Sequence, residues 1–293
     1  MTQWIPRSLT KLISLITSSL GKTQLTRETR TLVFSLGINN LSAMKGEEKT
    51  VNILDARKHS PGSFSETGFT LIQLEEEPQT RNWRPGSKDI HLFQEQMEPH
   101  LRKLYPQTKR IEWLSHLVRG GSKVGDQPRA LMPHLDYHQD DEERRKFYQE
   151  FSPPSFSDRL EPNVLTGSLD TEQEKLGVML GLWFPLYPRQ VMDYPLTVMD
   201  ARTFQPENQI LYNLHMNMIF TTFHNLNAAI SHSPSQAWYY FSRQSTSEVL
   251  VFHQYSKGRW LSNPHTSFLN KNCPRGTEDQ ERISAELRVA LFF

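Results

Sequence analysis

Hydrophobic and polar positions alternate with two different periods along this chain. Leu12, Ile13, Leu15, Ile16 and Leu20 share one helical face, which predicts a short amphipathic helix in the first segment. Residues 34–50 read as a loop or lead-in. Residues 50–57 read as a strand closed by the turn-forming His59-Ser60-Pro61-Gly62, and the alternating run 68–74 reads as a second strand. Ile90, Phe93, Met97, Leu101 and Leu104 predict a helix over 89–104, and a strand over 109–118 stops at Gly120-Gly121. Over 140–151 acids precede bases, the order that complements a helix dipole. Residues 152–170, rich in Ser and Pro, read as an irregular excursion. Strand patterns then recur over 176–186, 196–200, 237–242, 248–255, 265–269 and 283–293, while 208–220 fits either helix or strand. With no repeat and no linker, the pattern predicts a lead-in over 1–45 that includes the helical pattern and a single domain over 46–293. In that domain helices pack on a mainly antiparallel sheet system.

Composition narrows the class. The 293 residues carry 33 Lys plus Arg against 32 Asp plus Glu, so a general nucleic-acid coat, which needs a basic excess, is not expected. The single cysteine, Cys273, excludes an intramolecular disulfide and a multi-cysteine zinc site, and points to a reducing, cytoplasmic setting. No apolar run is long enough for a membrane-spanning helix. The first 27 residues hold Arg7, Lys11, Lys22 and Arg27 and no acid, a composition compatible with mitochondrial targeting, though a helix packed on the domain accounts for it more simply.

Phosphate-loop, dinucleotide and nucleophile-elbow motifs are absent. What is present is His134-Leu135-Asp136, an H-x-D. In an extended chain residues i and i+2 point to the same side, so the imidazole and the carboxylate can meet one cation. A distant second histidine would complete a facial triad and leave positions open for a bidentate 2-oxo acid and dioxygen. Spacing alone does not select this copy, because His138-Gln139-Asp140 is another.

The selection comes from an ordered set of further segments. They are His116-Leu117-Val118-Arg119, His134-Leu135-Asp136-Tyr137, Leu182-Trp183-Phe184-Pro185-Leu186, Asp193-Tyr194-Pro195-Leu196 and Met199-Asp200-Ala201-Arg202. Trp238-Tyr239-Tyr240, Glu248-Val249-Leu250-Val251-Phe252, Pro264-His265-Thr266-Ser267-Phe268 and Arg282-Ile283-Ser284-Ala285-Glu286-Leu287-Arg288 complete the series. Over residues 50–293 the chain resembles the CmcJ/AsaB-type hydroxylases and gibberellin desaturases, a family of non-haem Fe(II)/2-oxoglutarate-dependent oxygenases of secondary metabolism. The resemblance implies a double-stranded β-helix (jelly roll, cupin-like), mainly β, with supporting N-terminal helices.

It further implies His134, Asp136 and His265 as metal ligands and catalytic residues, with Fe(II), 2-oxoglutarate and O2 as cofactors. Arg282 and Ser284 are implied as the cosubstrate anchor. Arg288 lies on the same strand face and rivals Arg282 for that role. Tyr137, Trp183, Phe184, Trp238 and Tyr240 are the candidate substrate-pocket residues, and His253 is a reserve ligand. The chain departs from the family at Phe184, where Arg is usual, at Gln236-Ala237, where His-Arg is usual, and at His138, where Thr is usual. The implied partner is a small molecule. The implied reaction is C–H activation leading to hydroxylation, desaturation or ring formation. A redox-inactive binder or scaffold of the same fold is the alternative suggested by the departures, and a zinc hydrolase using the same triad is a third reading.

Overall fold

The computed structural model describes residues 28–37, 45–78, 83, 86–120, 129–151, 160–187, 190–218, 221–259, 261–270 and 282–293. In chain order the first elements are β1 (Glu28–Gly37), β2 (Lys45–Asp55), α1 (Phe64–Thr67), β3 (Phe69–Gln73), α2 (Lys88–Leu104), β4 (Arg110–Arg119), β5 (His134–Leu135), α3 (Asp141–Phe151) and α4 (Leu160–Thr166). They are followed by β6 (Leu176–Tyr187), β7 (Gln190–Val191), β8 (Leu196–Met199), β9 (Gln209–Met218), β10 (Thr221–Ile230), β11 (Trp238–Tyr240), β12 (Gln244–Ser245), β13 (Glu248–Ser256), β14 (His265–Ser267) and β15 (Ile283–Phe292).

One sheet runs β1-β2-β11-β8-β14-β5-β10-β9 and the other β3-β13-β6-β15-β4, with a small β12-β7 pair at the side. Apart from the parallel β2–β11 contact, the neighbours in both sheets are antiparallel. The two sheets meet through Phe69, Trp183, Leu250 and Phe252 of the five-stranded sheet and Leu196 and Val198 of the other. This is the expected jelly roll, mainly β with few helices.

Each sheet also has an outer face. Helix α2 starts at Ser87, whose Oγ accepts from the Ile90 amide, and its stripe of Ile90, Phe93, Met97 and Leu101 is buried. That stripe lies on Leu180, Leu182, Phe184, Val249, Val251, Leu287 and Val289, the outward side of β6, β13 and β15. Because both faces of these strands are buried, β6 reads as a continuous apolar run rather than an alternation. Outside the eight-stranded sheet, Ile53, Leu135, Met199, Phe204, Trp238, Tyr240 and Phe268 form a separate cluster.

Two stretches differ from the sequence pattern. Strands β1 and β2 pair from Glu28 with Ile53 to Gly37 with Lys45, within part of what reads as lead-in and loop, and the ambiguous stretch is β9, hairpinned to β10. Strand pairing supplies those segments with a structure that local periodicity does not signal. The excursion contains the short helix α4. The helix expected over 11–20 and Cys273 lie outside the described residues. Among the described residues no helix is long and apolar enough to cross a membrane.

Candidate metal centre

His134 and His265 are direct partners across the β5–β14 ladder. Val198 of β8 is in register with His265, and Ala229 of β10 with His134. Residues in register share a face, and Val198 belongs to the cluster between the sheets. Both imidazoles therefore point inward, where the Phe252 ring lies 4.8 Å from that of His265. Asp136, two residues beyond His134, returns to the same side.

Ligand atoms of His134, Asp136 and His265 lie within 4.8 Å of one another, and all three residues are buried. Asp136 Oδ1 is 3.6 Å from His134 Nε2, and its Oδ2 is 3.9 Å from His265 Nε2. His134 Nδ1 is 2.8 Å from the Met132 carbonyl, and His265 Nδ1 is 3.2 Å from that of Asn263. A carbonyl only accepts, so each Nδ1 carries the proton and each Nε2 presents its lone pair to the cluster.

The electrostatics agree. Burial, reinforced by the neighbouring His265, lowers the His134 pKa to about 4, and burial lowers that of His265 too. Both rings are thus neutral at neutral pH. Burial opposes ionisation of Asp136, but Arg288, then His265 and His134, hold its carboxyl well below the usual range. Two neutral nitrogens and one carboxylate on one face suit a divalent first-row metal.

A second polar group faces the same interior from the start of β15 and the residue before it. Arg282 and Ser284 are each only 1 % exposed, yet Arg282 Nε and Ser284 Oγ have no hydrogen-bond partner among the described residues. Arg282 Nη1 donates to the Tyr194 carbonyl and, at 3.0 Å, to Ser267 Oγ. Its guanidinium carbon is 5.4 Å from the Trp183 ring centroid. Among the described residues no carboxylate stands within ion-pair distance of it. Burial, then Arg129 and Arg119, bring its pKa down to about 9. A buried cation with an unused donor beside an unused hydroxyl is a cradle for a carboxylate.

Arg288 is differently placed. Its Nη2 donates to Asp136 Oδ2 at 2.9 Å, its Nη1 is 3.8 Å from Glu161, and its Nε is 3.5 Å from Glu286. Protein carboxylates already surround it.

Of the candidate pocket residues, Trp183 lies on the inner face beside Arg282. Phe184, its neighbour on β6, alternates outward and packs with Trp83 and Phe93 beneath α2. Trp238 and Tyr240 are also on an outer face; between them Tyr239 is the residue in register with inward Val198. Tyr137 packs among Val164, Leu176, Met179 and Phe292, with Arg288 over its ring at 5.7 Å. His253 Nδ1–H donates to the Gly68 carbonyl at 2.8 Å and its Nε2 accepts from the Tyr105 hydroxyl, so it is no part of the cluster. Gln236 donates to the Ser231 carbonyl at 2.8 Å, and the Ala237 amide donates to Thr203 Oγ1 at 3.1 Å. His138 is buried, with its carbonyl accepting from Arg144 at 2.6 Å.

Gln254 and Glu161 are the residues that sequence reasoning missed. Leu250, Phe252 and Gln254 alternate onto the inner face of β13, so a polar residue at an inward position was the available signal for Gln254. Gln254 Nε2 donates to Asp136 Oδ2 at 2.8 Å. Glu161 lies in the Ser/Pro-rich excursion, where no periodicity marks it.

A jelly roll with two histidines and a carboxylate on its inner face defines a class, the cupin-like barrel whose interior side chains could hold a metal ion. The chain belongs to the family described as Oxidoreductase/YMDC permease-like domain, which matches residues 28–292. Over 110 residues it is 30% identical to the Fe(II)/2-oxoglutarate-dependent dioxygenase nvfI of Aspergillus novofumigatus (strain IBT 16806), a match covering 37% of this chain and 38% of that relative. The match thus spans well under half the length of the curated relative. Among solved structures, the iron and alpha-ketoglutarate-dependent endoperoxidase NvfI superposes with TM-score 0.66 at 18% identity, over 90% of this chain and 97% of that one. A second conformation of NvfI gives TM-score 0.69 at 18% identity, over 94% and 99%. The fold is shared.

Proposed function

We propose that this protein is a non-haem Fe(II)/2-oxoglutarate-dependent oxygenase acting on a small molecule of secondary metabolism. The observation that carries the reading is the inward convergence of His134, Asp136 and His265, with both histidine Nδ1 protons already engaged by backbone carbonyls. His134 Nε2, His265 Nε2 and an Asp136 oxygen would hold the iron. Arg282 and Ser284 would take the distal carboxylate of 2-oxoglutarate, since Arg282 is buried with no carboxylate in ion-pair distance among the described residues, whereas Arg288 is paired with Asp136 and flanked by Glu161 and Glu286. When bound, iron with 2-oxoglutarate and O2 supplies oxidative C–H activation coupled to decarboxylation of the 2-oxo acid to succinate.

The chain's own contribution is positional. The ladder between β5 and β14 sets the histidine spacing, Trp183 and Phe252 wall the interior with apolar rings, and the buried guanidinium orients an anionic cosubstrate. Phe184, Gln236 and Ala237, the departures that favour a redox-inactive binder, make their contacts away from the histidine–carboxylate cluster. We read residues 46–293 as one oxygenase domain joined by the β1 hairpin, and the finer affiliation as CmcJ/AsaB- or gibberellin desaturase-like. A single cysteine and near-neutral charge support a cytoplasmic enzyme of small molecules. The name of the relative includes endoperoxidase, and endoperoxide formation is one of the outcomes this site would allow.

The test is incubation with Fe(II), 2-oxoglutarate and oxygen, measuring succinate. The reading expects succinate from wild type and none above background from His134→Ala. Equal yields from both, or turnover under nitrogen, which a zinc hydrolase would show, would rule it out.

A further inference from the structure

Arg288 is half-buried, and its guanidinium is held by polar groups that the cosubstrate reading does not use. It lies on β15 in the five-stranded sheet, while Asp136 follows β5 in the other, so their 2.9 Å contact ties the two sheets together at the metal centre. Gln254 of β13 reaches the same Oδ2 at 2.8 Å. Two donors on one carboxylate oxygen take up its lone-pair directions. The other oxygen, Oδ1, lies 3.6 Å from His134 Nε2. Arg288 is itself held: its Nη1 donates to Ser115 Oγ at 3.2 Å, Ser115 in turn donates to Glu161, and Glu286 stands 3.5 Å from its Nε. Room for this arrangement comes from Gly181, in register with Arg288, where a Cβ would sit 3.0 Å from Gln254 Nε2.

We propose that Arg288 and Gln254 form a positioning clamp on Asp136, holding Oδ2 so that the carboxylate serves the metal through Oδ1 alone. The inference rests on the oxygenase reading and assigns Arg288 a task distinct from cosubstrate anchoring. Outer groups that orient a ligand contribute to metal affinity although they never touch the metal. A guanidinium next to a metal site also repels the cation, so the two effects of removing it have opposite signs. That opposition makes the clamp testable.

The experiment measures Mn(II) affinity by calorimetry, and 2-oxoglutarate affinity of the Mn(II)-loaded full chain, both without oxygen. Folding is checked by thermal melting. The clamp predicts that Arg288→Met weakens Mn(II) binding about 10- to 100-fold, with partial recovery in Arg288→Lys. Gln254→Leu, which removes the hydrogen bond to Asp136 together with a longer one to Glu286 and keeps the Arg288–Asp136 ion pair, is expected to weaken it about fivefold and decides the matter if Arg288→Met does not fold. Arg282→Met is expected to leave Mn(II) affinity within about twofold and to weaken 2-oxoglutarate binding instead. Unchanged or tighter Mn(II) binding in folded Arg288→Met, or in Gln254→Leu, would overturn the clamp. So would loss of 2-oxoglutarate binding in Arg288→Met with metal affinity retained. Wild type binding neither Mn(II) nor 2-oxoglutarate would instead overturn the oxygenase reading, and the clamp with it.

Discussion

Adding one methyl group at Gly181 tests the packing that carries the centre. Gly181 is on the inner face of β6, paired with Phe252 on one side and Arg288 on the other. A Cβ there would lie 2.6 Å from Phe252 Cζ, 2.9 Å from its Cε1 and 3.0 Å from Gln254 Nε2. Ordinary carbon contacts are about 3.5–4.0 Å, so the ring must retreat by about 1 Å. Phe252 is fully buried and its ring lies tilted against that of His265, so it cannot retreat without disturbing a proposed ligand. Overpacking of this kind costs about 1–3 kcal/mol. At about 2–4 °C per kcal/mol for a chain approaching this size, Gly181→Ala is expected to lower Tm by several degrees. Displacing Gln254 should also weaken Mn(II) binding. The backbone entropy of the unfolded chain argues the other way, since a compatible Gly→Ala change stabilises by about 0.4–1 kcal/mol. Differential scanning calorimetry of the metal-free protein separates the two, and an unchanged or higher Tm for Gly181→Ala would refute the steric reasoning.

Further outcomes follow from the same geometry. Arg282→Met, and more weakly Ser284→Ala, should raise the 2-oxoglutarate Kd, the former about 10- to 100-fold for a lost charged hydrogen-bonded contact, measured by titration. Phe184→Leu should lower stability by less than the ~3–5 kcal/mol of full truncation while leaving 2-oxoglutarate affinity unchanged, because its ring packs under α2; a selective loss of affinity would return Phe184 to the pocket. His253 has its pKa lowered by burial to about 4, against 6.5 when unperturbed. Its neutral form therefore contributes stability that is complete above about pH 6.5 and lost as pH falls toward about 4. Urea unfolding should show His253→Gln losing about 2 kcal/mol less than wild type between pH 7 and pH 5, and parallel pH profiles would contradict this.

The parts of this architecture legible in the sequence are those whose signal is local. Ile90, Phe93, Met97 and Leu101 mark α2 because a helix over a sheet needs one apolar stripe. The later strands β6, β8, β11, β13, β14 and β15 were all expected near where they occur. The H-x-D pair needed the wider resemblance to single it out, since His138-Gln139-Asp140 has the same spacing. Facing was the information missing. Phe184 is marked by its departure from the family pattern and Trp238 and Tyr240 by a segment that carries the resemblance, but their direction depends on the register that aligns Tyr239, Val198, His265 and His134. In β6 both sides are buried, so no alternation separates Trp183 from Phe184. The difference between Arg282 and Arg288 likewise depends on what lies across the barrel. Two residues on one strand face are equivalent until Asp136 is brought up to one of them.

The most direct measurement is the anomalous diffraction of a crystal grown without oxygen in the presence of Mn(II) and 2-oxoglutarate. The account predicts a single metal peak bounded by His134 Nε2, His265 Nε2 and Asp136 Oδ1, with the cosubstrate's distal carboxylate on Arg282 and Ser284 and the Arg288–Asp136 pair intact. A metal peak elsewhere, or a cosubstrate carboxylate seated on Arg288, would contradict it.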